Sequence, residues 1–261
     1  MFSIYTFIHS IPSDVIDYKD ALDNFCSFAE EVCVSTTQTS KEDKTVQLLQ
    51  EYQINHPNLK IINVEGLDIA SPSGQWKEKA LRACTQPFCI LFDADERIRL
   101  NDKLLWIKYA QALSQSDYDA LFIPTIDLYN SEKEYKSLNA KWYLHKNKLN
   151  LHRGAPKFAY RQDGSIDISK ADSAELIDNY GNLAKTVHLI HPITIENIKR
   201  IGITTYHLGW LDKQKRIKSN IFGRKVLDNI TQKKNEAFLI TKLEEFDDIK
   251  YYPHDLKLWY E

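Results

Sequence analysis

The sequence predicts an α/β fold in which a mainly parallel central sheet is flanked by helices. In the first half, short apolar runs alternate with segments whose apolar residues recur at helical spacing. The predicted strands span 2–8, 31–35, 59–65 and 87–92, and the predicted helices span 15–30, 41–54 and 74–85. Strands that alternate with helices are typical of parallel sheets, which bind ligands at the carboxyl ends of their strands.

The second half is predicted to pack onto this sheet as a smaller region of strands and loops, followed by helices. The predicted strands span 118–129, 140–147, 148–152, 185–191 and 202–209, and helices are expected at 101–113, 212–230 and 235–246. A turn at Asn147-Lys148 suggests that 140–147 and 148–152 form a hairpin. The polar segment from Arg153 to Ser173 is predicted to be a mobile acceptor-side loop. Because no linker is poor in apolar residues, residues 1–261 are expected to form one domain.

Composition and charge describe an ordinary folded protein. The net charge is −2, with 34 basic and 36 acidic residues, so no overall field attracts nucleic acid. The four cysteines lack zinc-site spacing and are predicted to be reduced, mostly buried thiols. No apolar run approaches the ~20 residues of a membrane helix, and the first residues carry no basic leader. These features predict a cytoplasmic protein without a transmembrane segment.

Acidic residues follow the fourth predicted strand directly. The stretch CILFDADERI at 89–98 places Asp93, Asp95 and Glu96 at the carboxyl end of a buried strand. Such acids can instead cap a following helix, but the next predicted helix has its own cap in Asn101 or Asp102. Two carboxylates spaced i and i+2 can turn toward one hard cation. The pattern therefore predicts binding of Mn²⁺ or Mg²⁺ by Asp93 and Asp95.

Residues 77–98 resemble the inverting nucleotide-sugar glycosyltransferases with the GT-A fold, a glycosyltransferase family 2-like group. That family shows a basic residue, then Asn, x, Ala-Leu, and later a strand that ends in Asp-Ala-Asp-Glu. Here Lys77 is the basic residue, Glu78 stands in place of Asn, and residues 93–96 match in full. Asp43 and Thr45 resemble the family's Asp-x-Thr helix start. The Asp that usually ends the second strand is replaced by VSTTQTS, and the resemblance covers roughly the first 100 residues.

A second stretch, TTYHLGWLDKQKRIKSNIFGRK at 204–225, resembles the family's His-aromatic-Gly-aromatic segment and its Lys-rich helix. The resemblance implies that His207 is a third metal ligand and that Lys218 joins Lys77 and Asp93 at the donor diphosphate. His191 is the competing candidate ligand. A strand histidine and a solvated basic helix are the structural alternatives for these residues.

The resemblance further implies a catalytic base that takes the proton from the acceptor hydroxyl. The candidates are Asp163, Asp167, Asp172 and Glu175, and Asp172 is favoured because it begins the run DSAELI. Its alternative role is a helix N-cap. Trp142 and Tyr143 are either a stacking platform for a sugar ring or core residues.

The resemblance implies a single GT-A-like domain with three parts. Residues 1–100 are the nucleotide-binding half, 101–212 the acceptor-side and metal-completing half, and 213–261 the C-terminal helices and tail. The implied activity is hexosyltransferase-like transfer of a sugar from a nucleotide-diphosphate donor to a glycan or lipid-linked saccharide acceptor, with inversion, in glycan or surface polysaccharide synthesis. Peripheral membrane contact is compatible with such an acceptor. The alternatives are a sugar-phosphate nucleotidyltransferase and a non-catalytic nucleotide- or sugar-binding module.

Overall fold

The computed structural model describes residues 1–9, 18–67, 71, 73–164, 174–210 and 250–261. The helices predicted at 212–230 and 235–246 lie outside this part of the chain, as do Asp167, Asp172 and Lys218 among the predicted site residues. Within the described residues, no helix is long and apolar enough to cross a membrane.

The first half of the chain folds as the alternating pattern predicts. Its strands are β1 (Phe2–Phe7), β2 (Glu31–Thr36), β3 (Leu59–Asn63) and β4 (Phe88–Leu91). Its helices are α1 (Tyr18–Phe28), α2 (Thr45–Gln53) and α3 (Ser73–Arg82). The strands pair in parallel in the order β3-β2-β1-β4, so their carboxyl ends share one edge.

The second half extends the same sheet with strands of both directions. Its elements are β5 (Glu96–Ile98), α4 (Lys103–Ser114), β6 (Ala120–Tyr129), β7 (Ser131–Lys146), β8 (Leu151–Gly154), β9 (Glu175–Asp178), β10 (Thr186–His188), α5 (Ile195–Ile201), β11 (Thr205–Trp210) and β12 (Lys250–Tyr251). The order continues as β4-β7-β6-β11-β5, with β10 on β6 and β12 on β7. The α/β class is confirmed, and the sheet is mixed, with ten strands among the described residues.

Apolar side chains cover both faces of the parallel half of the sheet. On one face Ile4 and Val34 pack with the buried sides of α1 and α4, including the fully buried Trp106. On the other face Tyr5 and Leu91 pack against α3. Successive residues of one strand therefore enter different cores, as the period of two along a strand requires. The thiols of Cys33, Cys84 and Cys89 lie in the α3-side core, and all four cysteines are free.

The hairpin predicted for 140–147 and 148–152 is wrong. Residues 131–146 form one long strand, β7, which pairs with β6 through a tight turn at Asn130. Asn130 has φ 62°, a left-handed conformation that Asn tolerates better than most residues. The segment 151–154 instead pairs with β9, forming a separate two-stranded sheet. Alternating polar residues along the first part of β7 hid it, because one of its faces is largely solvated.

The loop predicted from Arg153 to Ser173 begins later than expected. Arg153 and Gly154 belong to β8, and Arg153 is only 4% exposed. Its guanidinium donates to the Tyr5 hydroxyl and lies 5.1 Å from that ring. Residues 157–159 form a 3-10 turn, and the Lys157 N–H donates to the carbonyl of Gly181 in the turn after β9.

The aromatic C-terminal tail packs onto the second half of the sheet. Tyr252, Leu256, Leu258 and Trp259 form a cluster with Tyr206 and with apolar residues of β6. The Tyr206 hydroxyl donates to the carbonyl of Lys257. The tail therefore packs against β6 and β11.

Glu31 provides a pH-dependent test of the packing between β1, β2 and α3. Its buried carboxylate accepts from Ser3 and Thr85 and pairs with Lys60. Burial acts to raise the pKa of Glu31, but these partners outweigh it and lower the pKa to about 2. A depressed carboxyl pKa stabilises the fold above the unfolded value near 4.5, and that contribution is lost as the pH falls toward 2.

We therefore expect Glu31→Gln to lower the free energy of unfolding by about 1–3 kcal/mol at pH 7. The difference from the parent should shrink as the pH falls from 4.5 to about 2. Urea unfolding across this range is the measurement, with the exposed Glu51→Gln as the control. A pH-independent difference would contradict this role for Glu31.

Candidate functional site

The acidic turn, residues 93–96 after β4, is organised around the side chain of Glu96. Its Oε2 accepts from the backbone N–H of Asp93 at 2.8 Å, and its Oε1 accepts from Lys141 Nζ at 3.0 Å. The Tyr143 hydroxyl donates to the same Oε1 at 2.8 Å. Glu96 is 4% exposed, and this burial raises its pKa. Lys141 acts to lower the pKa, whereas the negative charges of Asp93 and Asp95 raise it further. The fourth residue of the Asp-Ala-Asp-Glu motif therefore holds the turn closed.

Asp93 is held between two lysines. Lys77 Nζ on α3 lies 3.0 Å from Asp93 Oδ1, and Lys141 Nζ on β7 lies 2.7 Å from Oδ2. Burial acts to raise the pKa of Asp93, but Lys141 and Lys77 overcome it and hold the pKa far below its usual range. Burial acts to lower the pKa of Lys141, and Asp93 and Glu96 reverse this, leaving it well above the usual value. The structure thus joins two predicted residues, Lys77 and Asp93, through an ion pair.

The sheet register brings His207 to Asp95. On β11, His207 is the partner of Glu96 on β5 and of Asp127 on β6. The backbone N–H of Leu208 donates to the carbonyl of Asp95 at 2.7 Å, which fixes the turn against β11. His207 Nε2 then lies 3.2 Å from Asp95 Oδ2. Residues that are 112 positions apart in sequence thus meet at the carboxyl edge of the sheet.

A second carboxylate orients the imidazole of His207. Its Nδ1 lies 3.1 Å from Asp127 Oδ1, while Asp127 Oδ2 accepts from Asn139 Nδ2 at 2.5 Å and from the Ser137 hydroxyl. Burial acts to lower the pKa of His207, but Asp127 and Asp95 raise it to about 10. Metal-bound histidines commonly donate their remaining ring N–H to a carboxylate, as Nδ1 is placed to do here.

The sequence pattern did not identify Lys141, Tyr143 or Asp127 as members of this site. Tyr143 is fully buried, so its ring cannot be the sugar-stacking platform considered above, and it packs in the core. Asn139, Lys141 and Tyr143 alternate along β7, a period of two that places them on one face. Asp127 is a single acid within the apolar run IPTIDLY, and that isolation was the available signal.

The other predicted residues lie apart from this cluster. His191 is exposed, and its ring contacts His188 at a centroid distance of 6.4 Å. Glu175 begins β9, and Asp163 is exposed on the segment after the 3-10 turn. Asp43 accepts from the backbone N–H groups of Thr45 and Thr39, each at 2.9 Å, and so shapes the start of α2.

Rings gather at the carboxyl end of β1. The His9 ring lies 4.8 Å from that of Trp76 on α3, and Phe7 stacks beside them with its centroid 6.4 Å from Trp76. Burial lowers the pKa of His9, and Asp43 partly opposes this. His9 Nδ1 and Trp76 Nε1 are buried and have no hydrogen-bond partner among the described residues. The partly exposed rings of Phe7 and His9 therefore lie close to Lys77, whose ammonium is 5.6 Å from the centroid of the Phe7 ring, whereas Trp76 is fully buried.

The donor atoms at Asp95 and His207 fit a divalent cation. Carboxylate oxygen binds both Mn²⁺ and Mg²⁺, and imidazole nitrogen suits Mn²⁺ better than Mg²⁺, which favours oxygen ligands. Asp93 does not converge with them, because in the described residues only Glu31, Cys33 and Cys84 place three candidate ligand atoms within 4.8 Å of one another. That second group is a poor site, since a hydrogen bond with Cys84 and burial raise the pKa of the Cys33 thiol and Lys60 already pairs with Glu31.

No protein-family model and no curated protein sequence matches the chain. Among solved structures, S. aureus TarS 1-349 aligns at a TM-score of 0.43 and 13% identity, over 94% of this chain and 70% of that one. TarS 1-349 in complex with UDP-GlcNAc gives 0.41 and 16%, over 94% and 71%. The Pyrobaculum calidifontis mannosyltransferase PcManGT in complex with GDP-Man and Mn²⁺ gives 0.35 and 14%, over 49% and 35%. Likenesses this distant leave the activity to be inferred from the site itself.

Removal of the Lys141 ammonium should destabilise the turn. Lys141→Met keeps most of the side-chain volume but leaves Asp93 and Glu96 facing each other without the shared cation. Since Lys141 and Asp93 are partly exposed, we expect a loss of about 1–3 kcal/mol in the free energy of unfolding, less than for a fully buried pair.

Urea unfolding measures this loss, and Lys148→Met is the matched control. Lys148 pairs with Asp119 at the surface, so its removal should cost under about 1 kcal/mol. Adding Glu96→Gln to Lys141→Met should cost less than Glu96→Gln costs the parent, which a double-mutant cycle reveals. Equal losses for the two lysine variants would show that Lys141 does not hold the turn.

Proposed function

We propose that the chain is an inverting glycosyltransferase that moves a sugar from a nucleotide-diphosphate donor to an acceptor hydroxyl. The observation that carries this proposal is the pairing of Asp95 with His207 at the carboxyl edge of the sheet, with Asp127 behind the imidazole. The Asp-Ala-Asp-Glu resemblance, which includes Asp95, also supports it. Because open α/β sheets bind ligands at this edge, the cluster lies where a donor diphosphate is expected.

Asp95 and His207 would hold Mn²⁺ or Mg²⁺, with Asp93 as a further ligand once it leaves one of its lysines. When bound, the cation supplies positive charge that stabilises the diphosphate leaving group. Asp127 fixes the His207 ring with Nε2 toward Asp95, and Glu96 fixes the turn that carries Asp95. Preorganised groups of this kind need no rearrangement as charge develops.

The chain's own cations would complete the diphosphate site. Lys77 is proposed to bind a phosphate oxygen when it leaves Asp93, since its ammonium already lies at the turn. Lys218 is proposed to reach the diphosphate from the basic segment after β11. The partly exposed rings of Phe7 and His9 are proposed to contact the nucleotide base, with the fully buried Trp76 packed behind them.

The proposed reaction is a single displacement at the anomeric carbon. The acceptor oxygen forms a bond to this carbon while the bond to the phosphate oxygen breaks on the opposite face, so the configuration inverts. The hydroxyl proton passes to a carboxylate, for which Asp172 is proposed. A glycan or a lipid-linked saccharide is the proposed acceptor.

A sugar-phosphate nucleotidyltransferase is the second enzyme class that such an edge can serve. It would hold the triphosphate in a Gly-rich loop after the first strand, but the segment FIHSIPSD after β1 contains no glycine. A non-catalytic nucleotide-binding module would share the donor contacts without turnover. Incubation with nucleotide sugars separates these classes by sugar release or transfer, pyrophosphate release, or binding alone.

Asp95→Asn should abolish the Mn²⁺-dependent part of nucleotide binding while leaving the fold intact. The side chain lies at a strand end and is partly exposed, so its loss removes a ligand without opening a core. Isothermal calorimetry with UDP and GDP, each with Mn²⁺ and with EDTA, measures the effect. We expect at least a tenfold loss of affinity in Mn²⁺, about 1.4 kcal/mol.

Asp117→Asn is the matched control, because Asp117 is an exposed acid in the segment between α4 and β6. Its nucleotide affinity should equal that of the parent. His207→Ala should lower Mn²⁺ affinity as Asp95→Asn does, whereas His191→Ala should not. Unchanged binding by Asp95→Asn in Mn²⁺ would remove the proposed metal site.

A further inference from the structure

A groove lies on the small β8–β9 sheet, away from the acidic turn. Its volume is 540 Å³, within the usual range of about 300–1,000 Å³ for small-molecule sites. The 3-10 turn after β8 forms one wall, and the turn after β9 forms the other. The polar and aromatic residues that line it include His152, Lys157, Tyr160, Asn179 and Tyr180.

The two walls are locked to each other. Asp178 accepts from the backbone N–H groups of Tyr180 and Asn182, at 2.8 and 2.9 Å, and from the Asn182 amide. Gly181 has φ 74°, and its carbonyl accepts from the Lys157 N–H at 2.8 Å. A Cβ at Gly181 would approach Lys157 to 3.2 Å, closer than ordinary van der Waals contact, and the left-handed backbone there favours glycine. The groove is therefore preorganised.

Two tyrosines stand exposed at this rigid place. Tyr180 is 81% exposed and Tyr160 is 49% exposed, and both line the groove. A ring held on a fixed turn loses little conformational entropy when a ligand stacks on it. Aromatic rings present an electron-rich face, which attracts the polarised C–H groups on the flat side of a sugar ring.

Polar groups are available beside the rings. The Asn179 Oδ1 pairs with His152 Nε2, but its amide NH₂ donates to no acceptor among the described residues. Within the part of the chain that the structure describes, Lys157 forms no ion pair shorter than 4.0 Å. The Asp178 carboxylate oxygens already accept hydrogen bonds from the turn after β9. Since Lys157 and Asp178 balance in charge, the groove favours a neutral ligand with many hydroxyl groups over a charged one.

We propose that this groove is a saccharide-binding subsite for a neutral oligosaccharide. One sugar ring stacks on Tyr180, the next contacts Tyr160, and hydroxyl groups pair with the Asn179 amide and the Lys157 ammonium. The geometry of the groove is independent of the donor site, although the choice of a saccharide rests on the proposed function. Such a subsite would hold a segment of the acceptor chain distant from the reacting hydroxyl.

Saturation-transfer NMR and calorimetry with the full chain test this subsite, using maltotriose and N,N′,N″-triacetylchitotriose as neutral probes and trigalacturonate as the charged comparator. At least one neutral trisaccharide should bind, more tightly than trigalacturonate. Tyr180→Ala should weaken this binding about tenfold, and Tyr160→Ala should weaken it less. Tyr251→Ala is the matched control, because Tyr251 on β12 is 80% exposed and lies outside the groove.

Asp95→Asn separates this proposal from the proposed function. It should abolish Mn²⁺-dependent nucleotide binding and leave trisaccharide binding unchanged, whereas Tyr180→Ala should do the reverse. Absence of binding to both neutral probes would overturn the subsite, as would binding that Tyr180→Ala leaves intact. If Tyr180→Ala instead converts a dimer to a monomer in sedimentation velocity, the groove is a protein interface and the proposal is wrong.

Discussion

The site depends on one shared cation, the Lys141 ammonium, which lies between Asp93 and Glu96. Three acids within four residues repel one another, and burial makes that repulsion stronger. Lys141 and Lys77 neutralise Asp93, while Lys141 and the Tyr143 hydroxyl bind Glu96. With these two acids compensated, Asp95 is left to face His207. The acidic turn can therefore be stable in the absence of a cation and still present a ligand for one.

The pairing of parallel and antiparallel strands in the mixed sheet places these side chains next to the acidic turn and His207. An antiparallel β7 beside β4 places Lys141 and Tyr143 next to the turn that follows β4. The parallel pairing of β6 with β11 sets Asp127 opposite His207, and the antiparallel pairing of β5 with β11 sets Glu96 on its other side. Because a shift of one residue would turn each side chain to the other face, the register itself specifies the cluster. The proposed metal site is in this sense a consequence of strand pairing in the second half of the chain.

The sequence predicted the parallel half of the fold well, because apolar periodicity there reports directly on burial. It also predicted Lys77, Asp93, Asp95 and His207 as site residues; the structure places them in two adjoining groups, and their roles stay a prediction. It missed β5 and α5, which are too short for apolar periodicity to reveal. It also missed the full length of β7, whose first part is too polar to show the pattern of a strand. Lys141 and Asp127 were missed for a different reason. Their roles arise from long-range pairing, and no local pattern distinguishes a lysine or an aspartate that neutralises a distant partner.

The departure of Glu78 from the resembled family pattern has a structural counterpart. Lys77 and Glu78 are neighbours on α3, but their side chains leave the helix about 100° apart. Lys77 reaches the acidic turn, whereas Glu78 accepts from the backbone N–H of Arg153 at 2.7 Å and lies 3.1 Å from His152 Nδ1. Glu78 thus fastens β8, and with it one wall of the tyrosine-lined groove, to the helix that carries Lys77. An Asn could accept one of these bonds but would bring no charge to compensate Arg82. Helix α3 therefore joins the donor edge to the small sheet, so that the two proposed sites are held by adjacent residues of one rigid element.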